Sequence, residues 1–445
     1  MSIAETDRTD ETREAWLARA PVRSPEMEQA RFGGDVPSAD QLDLADINPL
    51  NPHLFREHRW HEHFARLRRE DPVHLNEMGS SGRYWSVTRW EDIRTIEADW
   101  DTFSSARGIT LGPPAGTKIP ESIERVRMFI AMDPPEHTQQ RKTVRDVAAL
   151  DNVRNLEPLT RERMGDLLDS LPEGETFDWV PTVSKELTAM MLATLFGIPH
   201  EDRHKLIRWS DVATSIPEPG GVVESGTQRR EELIECLDYF TAQWERRRTD
   251  PGYDLVSMLV HGEATKHLSP LEQLGNLILL IVGGNDTTRN TMSGSVYALN
   301  RFPEQYDRLL ADHSLVDGLV PEIIRWQTPL AYMRRTATTD TEFLGRKIAK
   351  GEQVLLWYVS ANRDESFFDD PDSFDLTREN ARRHLSFGTS IHHCMGNRVA
   401  EMQIRVLWEE ILKRFSRIEV VDEPERTFSS FINGYVHLPV RVHRD

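Results

Sequence analysis

The chain has 445 residues, 38% of them hydrophobic, only two cysteines and a formal net charge of −19. That surplus of acid opposes general attraction to nucleic acid or an anionic membrane, and two cysteines are too few for a disulfide framework, so a reducing cytoplasm suits the chain. No basic segment followed by an apolar run opens the sequence, and its most apolar segment, Leu277 to Val282, is too short to span a bilayer.

Residues 1–40 are polar and patternless, interrupted by Pro21, Pro25 and Pro37, and read as an arm outside the fold. Residues 41–445 contain no linker and read as one domain. His58, His61, Glu62 and His63 fall short of a His-Glu-x-x-His zinc motif and decorate an amphipathic helix. Arg83 to Val87 alternates like a strand, whereas Leu156 to Leu171, Ser184 to Phe196, Gln228 to Arg246 and Arg398 to Phe415 carry apolar residues at helical spacing. Between two helices, Ile216-Pro217-Glu218-Pro219-Gly220-Gly221 has the composition of a mobile connection and is a lid candidate; a plain surface loop is the alternative.

Ser269-Pro270-Leu271-Glu272 is a helix start, with a capping serine, proline at the first helical position and glutamate three residues after the cap. The pattern runs to Asn300, a rod of about 45 Å at 1.5 Å per residue, and Pro303 begins the next helix. Midway lies Val282-Gly283-Gly284-Asn285-Asp286-Thr287-Thr288. Glycine inside a helix costs about 1 kcal/mol relative to alanine, so a tight helix crossing or a flat group pressed on the backbone must offset the pair. Glu342 to Ile348 and Gln353 to Tyr358 read as paired strands around Lys350-Gly351. The sum is a mainly α fold with a small β region.

Phe387-Gly388-Thr389-Ser390-Ile391-His392-His393-Cys394-Met395-Gly396 places a cysteine on a glycine-bracketed loop before an amphipathic helix, where amide groups can face its sulfur and keep it ionised. Zinc is excluded for His392, His393 and Cys394, because three consecutive side chains cannot converge on a tetrahedral ion.

This loop resembles the cysteine loop of the cytochrome P450 superfamily, haem-thiolate monooxygenases. Met132 to Arg141, Gly283 to Thr288 and Glu322 to Arg335 fit the same family in the same order. The resemblance implies the cytochrome P450 fold, with a long central helix over the haem and the cysteine loop on its opposite side. It makes Cys394 the iron ligand, Asp286 and Thr287 the acid and alcohol that deliver protons, and Gly283, Gly284, Ser386, Phe387, Gly388 and Gly396 the haem cradle. His137, Arg141, Arg335 and His392 would hold the haem carboxylates. Glu322 and Arg325, with Arg378 as third member, would be a structural ion cluster tying the segment before the cysteine loop to a helix.

Longer strings, among them Gly-Gly-Asn-Asp-Thr-Thr-Arg-Asn at 283–290, resemble the bacterial soluble alkane-hydroxylase family. That implies terminal hydroxylation of alkanes or fatty acids, with O2 and electrons from a ferredoxin and its reductase. The substrate wall, by family position, would comprise Ile109, Leu111, Val282, Leu330, Ala331, Met333, Phe431 and Ile432, with ordinary core packing as the alternative for each. Arg382, Arg383 and Arg398 would form the docking face. The chain departs from the pattern at Ser390, where glycine is usual, and at His393, where that family often has arginine. Two alternatives remain: a hydroxylase of a bulkier sterol or isoprenoid lipid, and a non-enzymatic haem sensor.

Overall fold

A computed structural model describes residues 36–77, 82–112, 126–215, 217 and 220–444. Its axis is the helix Pro270–Arg301, about 48 Å long at 1.5 Å per residue. Ser269 caps it as the sequence predicts: its Oγ accepts from the Glu272 N–H, and the Ser269 N–H donates back to the Glu272 carboxylate. Unlike a surface helix it is buried around most of its second half, from Asn285 to Leu299. Helices Lys185–Phe196, Arg203–Thr214, Val316–Gln327 and Asn397–Ile411 pack against it.

A five-stranded sheet stands beside this helical body in the order Val73–Glu77, Arg83–Val87, Gln353–Leu356, Met333–Ala337, Phe103–Ser104. Its pairs are antiparallel except Arg83–Val87 with Gln353–Leu356. The expected hairpin around Lys350-Gly351 is not formed. Thr341–Phe343 pairs instead with Arg346–Ile348, because Leu344 and Gly345 take φ of +46° and +76° and turn the chain earlier. Gln353–Leu356 is thereby released to the larger sheet, where all four residues are buried.

Residues 1–35 of the expected arm lie outside the described residues, but its end is docked. Val36 and Ala39 are buried, and their carbonyls accept from Arg59 and Arg66. His61, Glu62 and His63 lie on the helix Trp60–Glu70, with His63 buried, while His58 precedes it. Of the lid candidate, Ile216, Glu218 and Pro219 lie outside the described residues; Pro217 is buried and Gly220 exposed.

Glu322 and Arg325 are fully buried and joined by two bonds, Nε to Oε2 at 2.8 Å and Nη2 to Oε1 at 2.7 Å. Arg378 Nε donates to the same carboxylate at 3.1 Å. The remaining Arg325 hydrogens reach the carbonyls of Asn362, Pro371 and Ser373. This network pins the irregular segment 362–378, which leads into the cysteine loop, to the helix Val316–Gln327.

Candidate active site

Between the central helix and segment 386–404 lies a cavity with about 1540 Å³ of empty space, its mouth included. The helix contributes Leu279, Leu280, Gly283, Gly284, Thr287, Thr288 and Thr291, one face at helical spacing. A Cβ at Gly283 would meet nothing within 4 Å, so this glycine leaves the groove open. A Cβ at Gly284 would lie 2.7 Å from Leu192 Cδ2, which makes that glycine the contact point of a helix crossing. Both readings of the glycine pair therefore hold, one at each residue.

Ser386, Phe387, Gly388, His392, Cys394 and Gly396 form the opposite wall. The Cys394 N–H donates to the Phe387 carbonyl at 2.7 Å and closes the loop. Gly388 has φ +61° and Ser390 φ +55°. Cys394 is partly exposed, and it is the cavity that it faces. Burial pushes its thiol up, against the Gly396 N–H, the Arg141 guanidinium and the Asn397 N–H. The sequence suggested a permanently ionised sulfur; in the free chain burial outweighs the donors.

His137 and His392 stand side by side at the cavity rim, ring centroids 4.2 Å apart, and neither ring nitrogen of either residue has a protein partner. Burial first, then the charge of Arg141 for His137 and of Arg335 for His392, pushes them down to about 4 and about 2. Both rings are neutral at pH 7. Buried polar atoms are normally paired, so these nitrogens await a ligand. Arg141 and Arg335 also line the cavity; Arg141 donates to the His393 carbonyl, and Arg335 to Glu97 at 2.9 Å.

The sequence profile of the Cytochrome P450 family matches residues 226–437. Over 404 residues the chain is 36% identical to linalool 8-monooxygenase of Pseudomonas putida, across 88% of this chain and 97% of that protein. This chain is a cytochrome P450. Identity is also 36% to the methyl-branched lipid omega-hydroxylase of Mycobacterium tuberculosis, over 85% of this chain and 90% of the relative. Among solved structures, Cytochrome P450-153 from Novosphingobium aromaticivorans matches with TM-score 0.83 and 44% identity, over 89% and 99% of the two chains. CYP153D17 from a Sphingomonas species matches with TM-score 0.85 and 46% identity, over 90% and 100%.

As a cytochrome P450 the protein is a haem-binding monooxygenase, which removes the sensor alternative. Its cavity suits haem on its own chemistry: a thiol on one wall, open space at Gly283 on the other, and unpartnered histidines beside two arginines at the rim for the two carboxylates.

Asp286 does not line the cavity of this P450. It is fully buried on another face of the helix, where its Oδ1 accepts from Ser210 Oγ at 3.0 Å and pairs with Arg289 at 2.8 Å. Arg289 continues to Asp211 at 2.6 Å, and Asp211 to Lys185 at 2.8 Å. Burial pushes the Asp286 carboxyl up, with Arg289 opposing. Thr287 does line the cavity, its Oγ1 donating to the Gly283 carbonyl at 2.9 Å.

Of the expected substrate wall, Leu330 and Met333 line the cavity. Ile109, Leu111, Val282, Ala331, Phe431 and Ile432 are not among its lining residues. Ala331 is fully buried in a core cluster with Trp357, against which Leu111 and Phe431 pack. Ile432 is bridged to Leu330, and the Ile109 carbonyl accepts from the Arg334 N–H. Phe129, Ile130, Met191, Leu195 and Leu255 supply apolar wall instead. Sequence reading passed over them because apolar helix residues look alike whether they face a cavity or the core.

Proposed function

We propose that this P450 hydroxylates the terminal carbon of an alkane or fatty acid, fed by a ferredoxin and its reductase in the cytoplasm. The observation that carries the reading is the composition of the cavity away from its rim. Arg141 and Arg335 are the only charged side chains in its described lining, and beyond them, the two histidines, Cys394, Tyr358, Ser386, Gln403 and the threonines of the central helix it is apolar. Such walls position a chain by shape and exclude water. Placement then overrides the intrinsic preference for weaker internal C–H bonds. A haem-thiolate centre supplies the chemistry by which one atom of dioxygen enters an unactivated C–H bond while the other leaves as water.

The residues of the chain divide the remaining work. Cys394 gives the sulfur, with the Gly396 and Asn397 amides directed at it. His137, Arg141, Arg335 and His392 hold the haem carboxylates. Thr287 Oγ1 can leave the Gly283 carbonyl and hold a proton toward the cavity. Asp286 refills it by turning away from Arg289, and Asp211 with partly exposed Lys185 forms the outer end of the relay. Arg382, Arg383 and Arg398, all exposed on the cysteine-loop side, form the ferredoxin face. Residues 41–445 act as one catalytic domain.

A second reading, oxidation of a branched or bulkier lipid, is favoured by the curated relatives, whose names specify linalool and methyl-branched lipid. The test starts with the carbon monoxide difference spectrum of the reduced protein and of Cys394→Ser. A strongly red-shifted Soret band absent from the variant is expected, and a histidine-type band in the wild type overturns the ligand assignment. Turnover of linear and branched chains follows. Terminal alcohols from linear chains are expected; exclusive oxidation of branched substrates replaces the first reading by the second.

A further inference from the structure

No motif marks Glu97, yet it is among the most heavily engaged carboxylates of the molecule. It sits near the end of the helix Trp90–Ala98 with its side chain 1% exposed. Oε1 accepts from Arg335 Nη2 at 2.9 Å and from the Tyr358 hydroxyl at 2.5 Å. Oε2 accepts from the Thr389 N–H at 2.7 Å and from Thr389 Oγ1 at 2.8 Å. Arg335, Tyr358 and the neighbouring Gly388 all line the cavity. A Cβ at Gly388 would lie 3.5 Å from both Glu97 Oε1 and the Tyr358 hydroxyl. One carboxylate thus joins a helix, the strand that carries Arg335 and the cysteine loop, all at the polar edge of the cavity.

We propose that Glu97 is a positioning residue for the haem, which fixes the cysteine loop through Thr389, aims Arg335 at the haem rim and places a negative charge beside it. This rests on the reading of Cys394 as ligand and of Arg335 as a holder of haem carboxylates. Arg335 has one nitrogen on Glu97 and another on the Arg334 carbonyl at 3.0 Å, so its planar group cannot swing. The Thr389 bonds hold the loop five residues before the sulfur. Arg335 is the only cation bonded to Glu97 among the described residues, so removal of the carboxylate charge would leave the guanidinium uncompensated there. An anion buried against the lining residues Arg335 and Tyr358 would favour the oxidised state of a bound haem, since ligand-loop hydrogen bonds, burial and local charge are the means by which a protein sets a haem potential.

The test uses the holoenzyme and two substitutions, Glu97→Gln and Thr389→Val. Midpoint potential is measured by dye-mediated spectroelectrochemical titration, and haem retention by transfer to apomyoglobin. The carbon monoxide band of the wild type comes first: its absence defeats the ligand reading, whatever the variants do. With that band present, Glu97→Gln is expected to raise the potential by a roughly tenfold shift in the one-electron equilibrium, about 59 mV, and to release haem several-fold faster. Thr389→Val, which keeps the charge and loses one tether, is expected to release haem faster at a near-native potential. A Glu97→Gln protein with wild-type potential and wild-type haem release overturns the proposal and leaves the ligand reading standing. Should Glu97→Gln not fold, wild-type haem release by Thr389→Val overturns it.

Discussion

Ser390 occupies a left-handed backbone position, φ +55°, inside the cysteine loop, where an L-residue is strained by roughly 1–2 kcal/mol. Ser390 is exposed, and it bonds through its backbone, its carbonyl accepting from the His393 N–H at 3.2 Å. Ser390→Gly therefore removes the strain at almost no loss of contact. Glycine's greater freedom in the unfolded chain takes back about 0.5–1 kcal/mol. The net expectation is a gain of about 0.5–1 kcal/mol. Gly388→Ala is the reciprocal experiment, because Gly388 is also left-handed at φ +61° and a Cβ there meets only ordinary contacts at 3.5 Å. It should cost about the same amount, from backbone conformation and not from a clash. Both are read as urea midpoints of the haem-loaded protein, followed at the Soret band and by tryptophan fluorescence. A lower midpoint for Ser390→Gly refutes the assignment of strain, and no loss in Gly388→Ala refutes its conformational origin.

Glu322→Ala leaves two guanidinium groups buried against a missing carboxylate. Breaking a buried pair from one side costs about 3–5 kcal/mol, and a loss below 1 kcal/mol in urea titration would show that Arg325 is held by backbone carbonyls alone. Arg382→Glu with Arg398→Glu should slow ferredoxin-supported turnover and flatten its salt dependence, while peroxide-supported turnover stays near wild type; unchanged salt-dependent kinetics removes the docking face from this side. Thr287→Ala should keep reductant consumption but divert it to hydrogen peroxide. Asp286→Asn should slow consumption itself, with a larger solvent isotope effect, since it interrupts proton supply and not the hydroxyl at the cavity. Equal peroxide yields from the two variants would contradict that division.

What the sequence made legible follows from what is local. The capping box at Ser269 and the apolar spacing of Lys185–Phe196 are dictated by neighbours a few residues away, and they appear where expected. The strand pairing after Thr341 is not legible in composition, because the turn is decided by two left-handed residues, one of them a leucine. At the site, residues marked by chemistry were legible. Cys394, His137, His392, Arg141, Arg335 and Thr287 converge on one cavity although they come from sequence positions far apart. The apolar wall was not, since whether Ala331 or Leu330 faces the cavity depends on one step of a bridge to Ile432. Glu97 was hidden for another reason: its partners, Arg335, Tyr358 and Thr389, are all at least 238 residues away.

Cys394 shows why a motif and its environment have to be weighed together. The amides of Gly396 and Asn397 and the charge of Arg141 favour the thiolate, yet burial pushes the thiol up beyond what they recover. Donors enough to ionise the sulfur unaided would also draw electron density from it, weakening it as a ligand. With burial opposing the donors, binding of a metal by this thiol is coupled to loss of its proton. The same donors would moderate the charge of the sulfur in a bound haem-thiolate. On this view the Gly396 and Asn397 amides and Arg141 act on one quantity, the electron density that Cys394 can supply, from the loop backbone and from the cavity wall.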